Sequence, residues 1–535
     1  MDAPRTSSTA LRQQIGQGFN LLQHDRVEEA QALASALQAA QPQHPEVLYF
    51  ASQVHLAAGT PESALPLMAA VVAATPAGPG QVPLLSELVN VLLLLRRRNE
   101  ARRVAAQAEQ LAAGDARALF AAGLIHNTCD DPTRTRAVLE QARAAGCSEP
   151  GLLYVLATAC MYLGDFDAAD SVLNDLLQRM PRHGLALHLR STLRTQKPGQ
   201  HHVDELRERL AGAFPDDGAR AAALYALAKE QEDLGETESA FSALTEGAAL
   251  KRQTLRYDAA AELGAIAAIR QTWTAAAVAQ IPEPDNAIDA PIFIVGMPRT
   301  GTTLVERMLG RVPGVVSAGE LLDFSRLIGI GIRQQLAAHP ALTPGQATLV
   351  LDYGALGLEY HRGASEAAPG ARHYIDKMPI NFLYCGMIHK ALPKARIIHL
   401  VRDPMDSCYA VYKTLFNAAY FFSYDQNELA DYYAAYFKLM QHWHAVLPPG
   451  SILDVRYEDL VTDTETQARR ILSHLGLPWR PEVLHPDGNE APATTASSAQ
   501  VRQPVHAGSV QKWRQYAPRL ASLRDRLRTH GIAVD

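Results

Sequence analysis

The stretch "GMPRTGTTL" (296–304) decides how the C-terminal half of this 535-residue chain folds. An apolar run, "IFIV", precedes it, and a helical pattern, "TTLVERMLGRV", overlaps its end. A glycine-rich turn between a strand and a helix is the build of a phosphate-binding loop, usually G-x-x-x-x-G-K-[ST]. Gly296, Gly301 and Thr303 keep that spacing, but Thr302 stands in the lysine position.

The missing lysine restricts the ligand. Backbone N–H groups of the loop and the positive end of the following helix favour an anion. A kinase or ATPase also needs a lysine and Mg²⁺ to neutralise the β- and γ-phosphates. A sulfuryl group carries less charge and transfers without a metal, so this loss suits a sulfotransferase better than a kinase. The alternative is a turn that binds no ligand.

Three more apolar runs, each followed by a helical pattern, lie further along: "RHYID" (372–376), "RIIHLV" (396–401) and "SILDV" (451–455). This alternation predicts a mostly parallel sheet with helices on both faces. Ligands of such sheets bind at the carboxyl ends of the strands. A polar residue follows each of the four predicted strands: Arg299, Lys377, Arg402 and Tyr457.

The N-terminal half is repetitive. A turn residue recurs five positions before a small residue, and the small residues are Ala30, Ala64, Ala101, Thr135, Ala169 and Ala240. Most spacings are close to 34 residues, and prolines follow three of these segments at 42, 76 and 181. The period resembles the tetratricopeptide repeat, a helix–turn–helix unit. The alternative is an irregular alanine-rich bundle.

These patterns predict an α + α/β chain in three parts. Residues 1–195 form a tetratricopeptide repeat solenoid, and 196–282 form a further helical repeat and linker helices. Residues 283–535 form a P-loop-like α/β domain with a parallel sheet. Repeat arrays present concave surfaces, so we expect this one to bind a protein or peptide.

Composition excludes several classes. A net charge of -6 and a pI of about 6.3 argue against a nucleic-acid binder. Five cysteines without a CxxC predict a reduced compartment and no disulfide framework. Neither a signal peptide nor an 18-residue apolar run is found, so we expect a cytoplasmic protein without a membrane span. His442 and His444 show no metal-ligand spacing.

The C-terminal motifs resemble a known family. "FIVGMPRTGTTLVERML" is similar to the 5′-phosphosulfate loop of sulfotransferases that use 3′-phosphoadenosine 5′-phosphosulfate (PAPS), and "RIIHLVRDPMDSCYAVY" to their 3′-phosphate motif. "SAGELLDF", "IDKMPINFLY", "VRYEDLV" and "SSAQVRQPVHAGSVQKW" resemble further blocks of tyrosylprotein sulfotransferases and of bacterial fusions with tetratricopeptide repeats. The likeness spans about 292–513. It implies a sulfotransferase domain that uses PAPS without a metal and sulfates a hydroxyl or phenol, with protein tyrosine as one candidate.

The resemblance assigns the phosphosulfate end of the site. Thr300, Gly301, Thr302 and Thr303 would cradle the 5′-phosphosulfate, and Arg299 would add positive charge beside them.

The resemblance also assigns the reacting groups. Glu320 would be the general base, although a glutamate at a helix N-terminus is also explained by the helix dipole. Lys377 would donate to the oxygen between sulfur and phosphorus as charge builds there, unless it is a solvated lysine at a strand end. Ser498 and Lys512 match a late serine and lysine that touch the phosphosulfate.

The 3′-phosphate end departs from the family. Arg402 would grip the phosphate, or else form a structural pair with Asp403 or Asp406. The family usually has a serine eight residues after this arginine, where this chain has Ala410. Ser407 or Lys413 would then have to compensate.

Tyr457 would contact the nucleotide, or else close the core at the end of its strand. The aromatic run at 420–437 would form core or line an acceptor pocket. Two other functions stay open at this point: a nucleoside-triphosphate-dependent kinase that uses Asp403 to bind Mg²⁺, and a repeat scaffold without catalysis.

Overall fold

The computed structural model describes residues 8–286, 288–289, 291–416, 418–489, 491–495, 498, 502 and 505–534. The chain separates into two compact units, Met1–Ala159 and Cys160–Asp535. This division lies inside a helix. The domain limits expected from sequence, at 195/196 and 282/283, stay predictions.

From Ser8, where its described part begins, the first unit consists of helices. They are α1 Ser8–Gln23, α2 Val27–Ala40, α3 Pro45–Ala57, α4 Pro61–Ala74, α5 Val82–Leu94, α6 Arg98–Leu111, α7 Ala116–Thr128, α8 Pro132–Ala144 and the start of α9 Pro150–Leu163. Successive helices pack in pairs, with α3 against α4, α5 against α6 and α7 against α8.

The second unit opens with more helices. They are α10 Phe166–Arg179, α11 Gly184–Thr192, α12 Val203–Leu210, α13 Asp217–Asp233, α14 Thr237–Gln253, α15 Ala259–Thr272 and α16 Ala275–Gln280. Helices α13 and α14 pack as a pair within 196–282, where the sequence predicts a further helical repeat.

The small residues of the repeat pattern occupy the same place in every pair. All six lie near the start of a second helix, in α2, α4, α6, α8, α10 and α14, and none is more than 2% exposed. The residue five positions earlier is left-handed each time: Asp25, Gly59, Arg96, Asp130, Gly164 and Gly235. A left-handed residue ends the first helix, and the small residue lets the second pack closely. The predicted helix pairs are confirmed.

The α/β part follows the helices. Its strands are β1 Pro291–Gly296, β2 Val315–Gly319, β3 His373–Asp376, β4 Arg396–Val401 and β5 Ile452–Arg456. Its helices are α17 Thr302–Leu309, α18 Asp323–Ala338, α19 Pro344–Leu349, α20 Tyr353–Ala367, α21 Cys385–Ala391, α22 Pro404–Tyr412, α23 Gln426–Val446, α24 Tyr457–Thr462, α25 Thr464–Leu475 and α26 Ala521–Thr529.

The strands form one parallel sheet in the order β2-β3-β1-β4-β5. The four strands predicted from apolar runs are present, and the parallel sheet is confirmed. The structure adds β2, which sequence missed because an edge strand with its middle residues exposed leaves no apolar run. All strands end at the same edge, so the polar residues that follow them are brought to one side of the sheet.

A core beneath the loop fixes the first helix of the site. Val305 and Met308 of α17 pack with Ile294 of β1, Ile398 of β4 and Ile471 of α25, and all five are at most 3% exposed. Burying an aliphatic side chain of this size stabilises the fold by about 1.5–3 kcal/mol. These contacts hold α17, the helix that follows the loop, against the sheet and against α25.

The five cysteines all lie within the described residues and form no disulfide with one another. Among the described residues, no helix combines the length and apolar character that a bilayer crossing requires.

Candidate active site

The loop between β1 and α17 needs glycine at both of its ends. Gly296 has a φ of 146°, and a Cβ there would lie 2.7 Å from the carbonyl oxygen of Leu400 on β4. Gly301 has a φ of 100°, and a Cβ there would lie 2.6 Å from Cδ2 of Tyr457. Arg299 between them is also left-handed, with a φ of 67°. Both positions therefore require glycine, because a side chain would clash with a neighbouring residue and because L-residues rarely adopt these φ values.

The loop presents donors towards the carboxyl edge of the sheet. The first amides of α17, from Thr302 and Thr303, have no acceptor within the helix, as at any helix start. Both side chains are buried, and the Thr300 hydroxyl donates to the carbonyl of Met297 at 2.7 Å, which fixes the turn. A helix N-terminus with free amides on a left-handed turn favours an anion.

Arg402, which follows β4, is held against this loop. Its Nη1 donates to the carbonyl of Arg299 at 3.0 Å, and its Nη2 donates to the carbonyl of Ser509 at 2.6 Å. Its guanidinium lies 4.7 Å from the centre of the Tyr457 ring, whose hydroxyl bonds the Ser509 hydroxyl at 2.7 Å. The aromatic face and two carbonyls therefore orient the guanidinium, and the edge of the same ring borders Gly301.

Two buried polar atoms, one just before α22 and one in its first half, have no partner in the described chain. Among the described residues, neither Nε of Arg402 nor Oγ of Ser407 has a hydrogen-bond partner, although both atoms are buried. Burial, followed by the charge of Arg402, lowers the pKa of Arg299 to about 10. Buried donors and crowded cations are costly without an anion to satisfy them, so the cluster has the character of an anion site.

The structural pairing proposed as an alternative for Arg402 is not the arrangement found. Asp403 accepts from the backbone N–H of Asp406 at 2.9 Å and so caps α22. Asp406 in turn accepts from the backbone N–H groups of Gln511 and Trp513. In the described chain, neither carboxylate lies within ion-pair distance of Arg402. Both aspartates instead order the backbone around the cluster.

Lys377, directly after β3, forms the second part of the site. Its side chain is 1% exposed, and its amine pairs with the carboxylate of Glu320 and lies 3.9 Å from that of Glu306 on α17. It is therefore not a solvated lysine at a strand end. Glu320 follows β2, and its side chain is 41% exposed. An accessible carboxylate beside a buried ammonium can take a proton while the ammonium stabilises developing negative charge.

A buried carboxyl group, that of Asp376, links the segments that carry Glu320 and Lys377. Asp376, the last residue of β3, accepts from the hydroxyl of Tyr360 at 2.7 Å and from Nδ2 of Asn381 at 3.1 Å. It also accepts, at 3.4 Å, from the N–H of Leu321, the residue after Glu320. Burial raises the pKa of Asp376 to about 7. The network ties the Glu320 turn to the strand that carries Lys377.

A third group of charges lies around Lys413 at the end of α22. Its amine and that of Lys512 pair with Glu232 of α13, at 2.8 and 3.4 Å. The positive charge of Arg299 contributes to lowering the pKa of Lys413, so the two side chains are electrostatic neighbours. Lys512 stands three residues after Ser509, whose carbonyl accepts from Arg402 beside the loop. Ala410 makes no such polar contact, since it carries no polar side chain.

The described hydrogen bond of Ser498 is to α9. Its hydroxyl donates to the carbonyl of Met161 in α9 at 3.2 Å. Most of the residues next to it in sequence lie outside the described residues. Its role at the phosphosulfate stays a prediction.

The aromatic run at 420–437 is mostly core. Tyr432, Tyr433 and Tyr436 are at most 3% exposed, and the Tyr432 ring stacks on Phe422. Tyr420 differs, because burial and then the charge of Glu320 raise its pKa, which places this ring in the surroundings of Glu320.

The structure brings together a group of histidine and aspartate side chains that the sequence did not predict, while the expectation of no metal stays a prediction. His399 of β4 and His444 of α23 both hydrogen bond Oδ1 of Asp454 on β5, at 2.8 and 2.9 Å. These three residues are close enough to serve as a metal-ligand set. The spacing of His442 and His444 did not reveal it, because the members lie on three separate elements.

Sequence reasoning also missed Glu306, Glu232 and Ser509. Glu306 stands four residues after Thr302, on the loop helix, and this spacing was the available signal for it. No signal pointed to Glu232, which lies in the helical segment, or to Ser509, which acts through its backbone carbonyl and hydroxyl.

Comparisons with known proteins agree with this geometry. Residues 291–481 match the family model described as "Sulfotransferase family". An uncharacterised protein of Aquifex aeolicus is 28% identical over 388 residues, which cover 71% of this chain and 50% of that protein. The protein-tyrosine sulfotransferase of Drosophila melanogaster is 26% identical over 244 residues, covering 42% of this chain and 46% of its own length.

The chain spans about half the length of these two relatives. The solved sulfotransferase domain of the Synechococcus PCC 7002 olefin synthase aligns with 48% of this chain and all of its own, at 20% identity and a TM-score of 0.30. The recognition of a sulfotransferase-family domain behind a helical repeat array is confirmed.

Proposed function

We propose that this chain, which carries a sulfotransferase-family domain over residues 291–481, moves the sulfuryl group of PAPS to a hydroxyl or phenol. The observation that carries the proposal is the meeting of two features at one sheet edge. A lysine-free anion loop lies beside Arg299 and Arg402, and a base–ammonium pair, Glu320 and Lys377, follows the adjacent strands.

The residues present fit a nucleotide with phosphates at both ends. Thr302 and Thr303 supply helix-start amides and hydroxyls for the 5′-phosphosulfate, with Arg299 beside them. The buried Nε of Arg402 and Oγ of Ser407 supply unsatisfied groups for a 3′-phosphate. Ser407 thus offers a substitute for the serine that Ala410 replaces. PAPS, when bound, supplies an activated sulfuryl group on a good leaving group.

Each reacting group of the chain then has a defined task. Glu320 takes the proton of the acceptor hydroxyl as the acceptor oxygen bonds to sulfur. The bond from sulfur to the bridging phosphate oxygen breaks, and Lys377 stabilises the negative charge that forms on that oxygen. The products are a sulfate ester and adenosine 3′,5′-bisphosphate. Glu306 keeps Lys377 beside α17 in the absence of substrate.

The surroundings of Glu320 favour an acceptor with an apolar or aromatic body. Val316 and Leu322, on either side of Glu320 in sequence, are 36% and 43% exposed, and Tyr420 lies nearby. A phenol offers both an ionisable oxygen and a flat apolar ring. The Drosophila relative is named for protein tyrosine, which supports tyrosine of a protein or peptide as the acceptor. The repeat array would recruit that protein.

The two other functions gain no support. The kinase hypothesis uses Asp403 as a metal ligand, but this carboxylate accepts an N–H at the start of α22. The scaffold hypothesis predicts a decayed site, whereas Lys377 and Glu320 are paired and supported by Asp376. A cytoplasmic location stays a prediction.

The test is release of adenosine 3′,5′-bisphosphate from PAPS in the presence of phenols and tyrosine peptides. We expect acceptor-dependent release by the wild type and none by Glu320→Ala, with bisphosphate binding kept in the variant. Loss of binding together with turnover would place Glu320 in the fold rather than in the chemistry. Turnover retained by Glu320→Ala would remove it as the base.

A further inference from the structure

One carboxylate of the helical segment reaches the cation cluster of the candidate site. Glu232, near the end of α13, accepts from the hydroxyl of Tyr409 at 2.6 Å. It also pairs with Lys413 at 2.8 Å and with Lys512 at 3.4 Å. Its side chain is only 8% exposed. Two lysines that are far apart in sequence therefore converge on one buried carboxylate.

The cluster carries more positive than negative charge. Lys413 and Lys512 share the negative charge of Glu232. Lys512 stands three residues after Ser509, whose carbonyl accepts from Arg402 of the candidate site. The charge of Arg299 also contributes to lowering the pKa of Lys413. Burial lowers the pKa of Lys413 to about 8, while the charge of Glu232 acts in the opposite direction. The pKa of Glu232 is lowered to about 2, because its cationic and hydroxyl partners outweigh burial. Glu232 is thus an anion at neutral pH, and it favours the protonated form of Lys413.

The side chains around Glu232 are also fixed by packing. The amine of Lys413 lies 5.0 Å from the centre of the Tyr409 ring, and this ring packs against Tyr516. Tyr516 in turn packs against Phe241 of α14. The lysines are therefore held against the α13–α14 pair, and Glu232 is the charged contact of that attachment.

We propose that Glu232 is a positioning residue that holds Lys413 and Lys512 in place for the phosphates of the nucleotide. This inference rests on the proposed function. It makes the helical segment, expected from sequence to be a repeat and linker, a part of the nucleotide site. A carboxylate beside an anion opposes binding by Coulomb repulsion, so Glu232 favours binding only through the order that it gives the lysines.

The test is the affinity of full-length Glu232→Gln for adenosine 3′,5′-bisphosphate, measured by isothermal titration calorimetry. Glutamine keeps the size of the side chain and a carbonyl for Tyr409 but loses the charge that holds the lysines. We expect binding to weaken about tenfold, as on loss of other residues that orient ligand-binding groups. Glu238→Gln is the control, because Glu238 pairs with Arg519 at the surface and is 77% exposed. It should bind as the wild type does.

A double-mutant cycle separates positioning from a general effect on the fold. In a Lys413→Met background, Glu232→Gln should weaken binding by only about threefold, because one of its two targets is gone and the effects of contacting residues are not additive. If Glu232→Gln does not fold, Tyr409→Phe replaces it, and we expect weaker binding in the same direction. Unchanged or tighter binding in the folded variant would overturn the proposal. A wild type that does not bind the bisphosphate would instead refute the proposed function.

Discussion

The loop conformation can be tested at Gly301 with a single methyl group. Gly301→Ala imposes two separate penalties. A left-handed backbone costs an L-residue about 1–2 kcal/mol. The new Cβ would also lie 2.6 Å from Cδ2 of Tyr457, and overpacking of this kind costs about 1–3 kcal/mol. The free energy of unfolding should therefore fall by about 2–5 kcal/mol.

The Tyr457 ring has little freedom to relieve the contact. Its hydroxyl bonds Ser509, and its face carries the guanidinium of Arg402. If the ring moves, Arg402 loses its support. We therefore expect Gly301→Ala to weaken the binding of adenosine 3′,5′-bisphosphate as well as to lower stability.

Gly476 is a matched control, because it caps α25 with a φ of 67° and has open space where a Cβ would stand. Gly476→Ala imposes only the backbone penalty of about 1–2 kcal/mol. Both variants can be followed by urea unfolding with tryptophan fluorescence. All four tryptophans lie at 273, 443, 479 and 513, within the unit that holds both glycines.

The reasoning is refuted if Gly301→Ala is no less stable than Gly476→Ala, since the contact with Tyr457 would then have no energetic weight. Replacing Tyr457 by alanine in the Gly301→Ala background should remove the steric part. The two substitutions should then couple by about 1–3 kcal/mol.

Three further outcomes follow from the site. Lys377→Met should lower turnover about 10²–10³-fold and keep the affinity for the bisphosphate within about threefold of the wild type. The reason is that the Lys377 amine contacts Glu320 and Glu306 rather than the Arg402 cluster. Turnover is measured by rate assays and affinity by calorimetry. Ala410→Ser should tighten bisphosphate binding about two- to tenfold by one added hydrogen bond, and unchanged affinity would show that position 410 does not face the phosphate. Burial raises the pKa of Asp376 to about 7 from an unfolded value of about 3.9, so the folded protein holds a proton that the unfolded chain releases. Stability from this group should therefore fall as pH rises from about 4 to about 7, and Asp376→Asn should show a shallower fall in urea unfolding over that range.

Much of the fold could be predicted because it depends on local patterns. The repeat anchors are small residues at a fixed distance from a left-handed turn, and both features are written in the sequence. Four strands of the sheet are buried enough to appear as apolar runs. The edge strand β2 is not, so only its pairing with β3 defines it.

The site was predictable only in part. Arg299, Lys377 and Arg402 follow strands, so the parallel topology alone brings them to one edge. Glu232 and Ser509 reach the cluster from separate elements, and no spacing encodes that approach. Contacts between residues that are far apart in the sequence are seen only once the chain is folded.

The most direct measurement of the central claim compares adenosine 3′,5′-bisphosphate with AMP by calorimetry in buffer containing EDTA. We predict that the bisphosphate binds at least tenfold more tightly than AMP, without metal, and that Arg402→Met abolishes the difference, since a charge-assisted bond is worth about 1.5–3 kcal/mol. Equal affinities for the two nucleotides, or binding only of ATP with Mg²⁺, would contradict a site built for a 3′-phosphorylated sulfate donor.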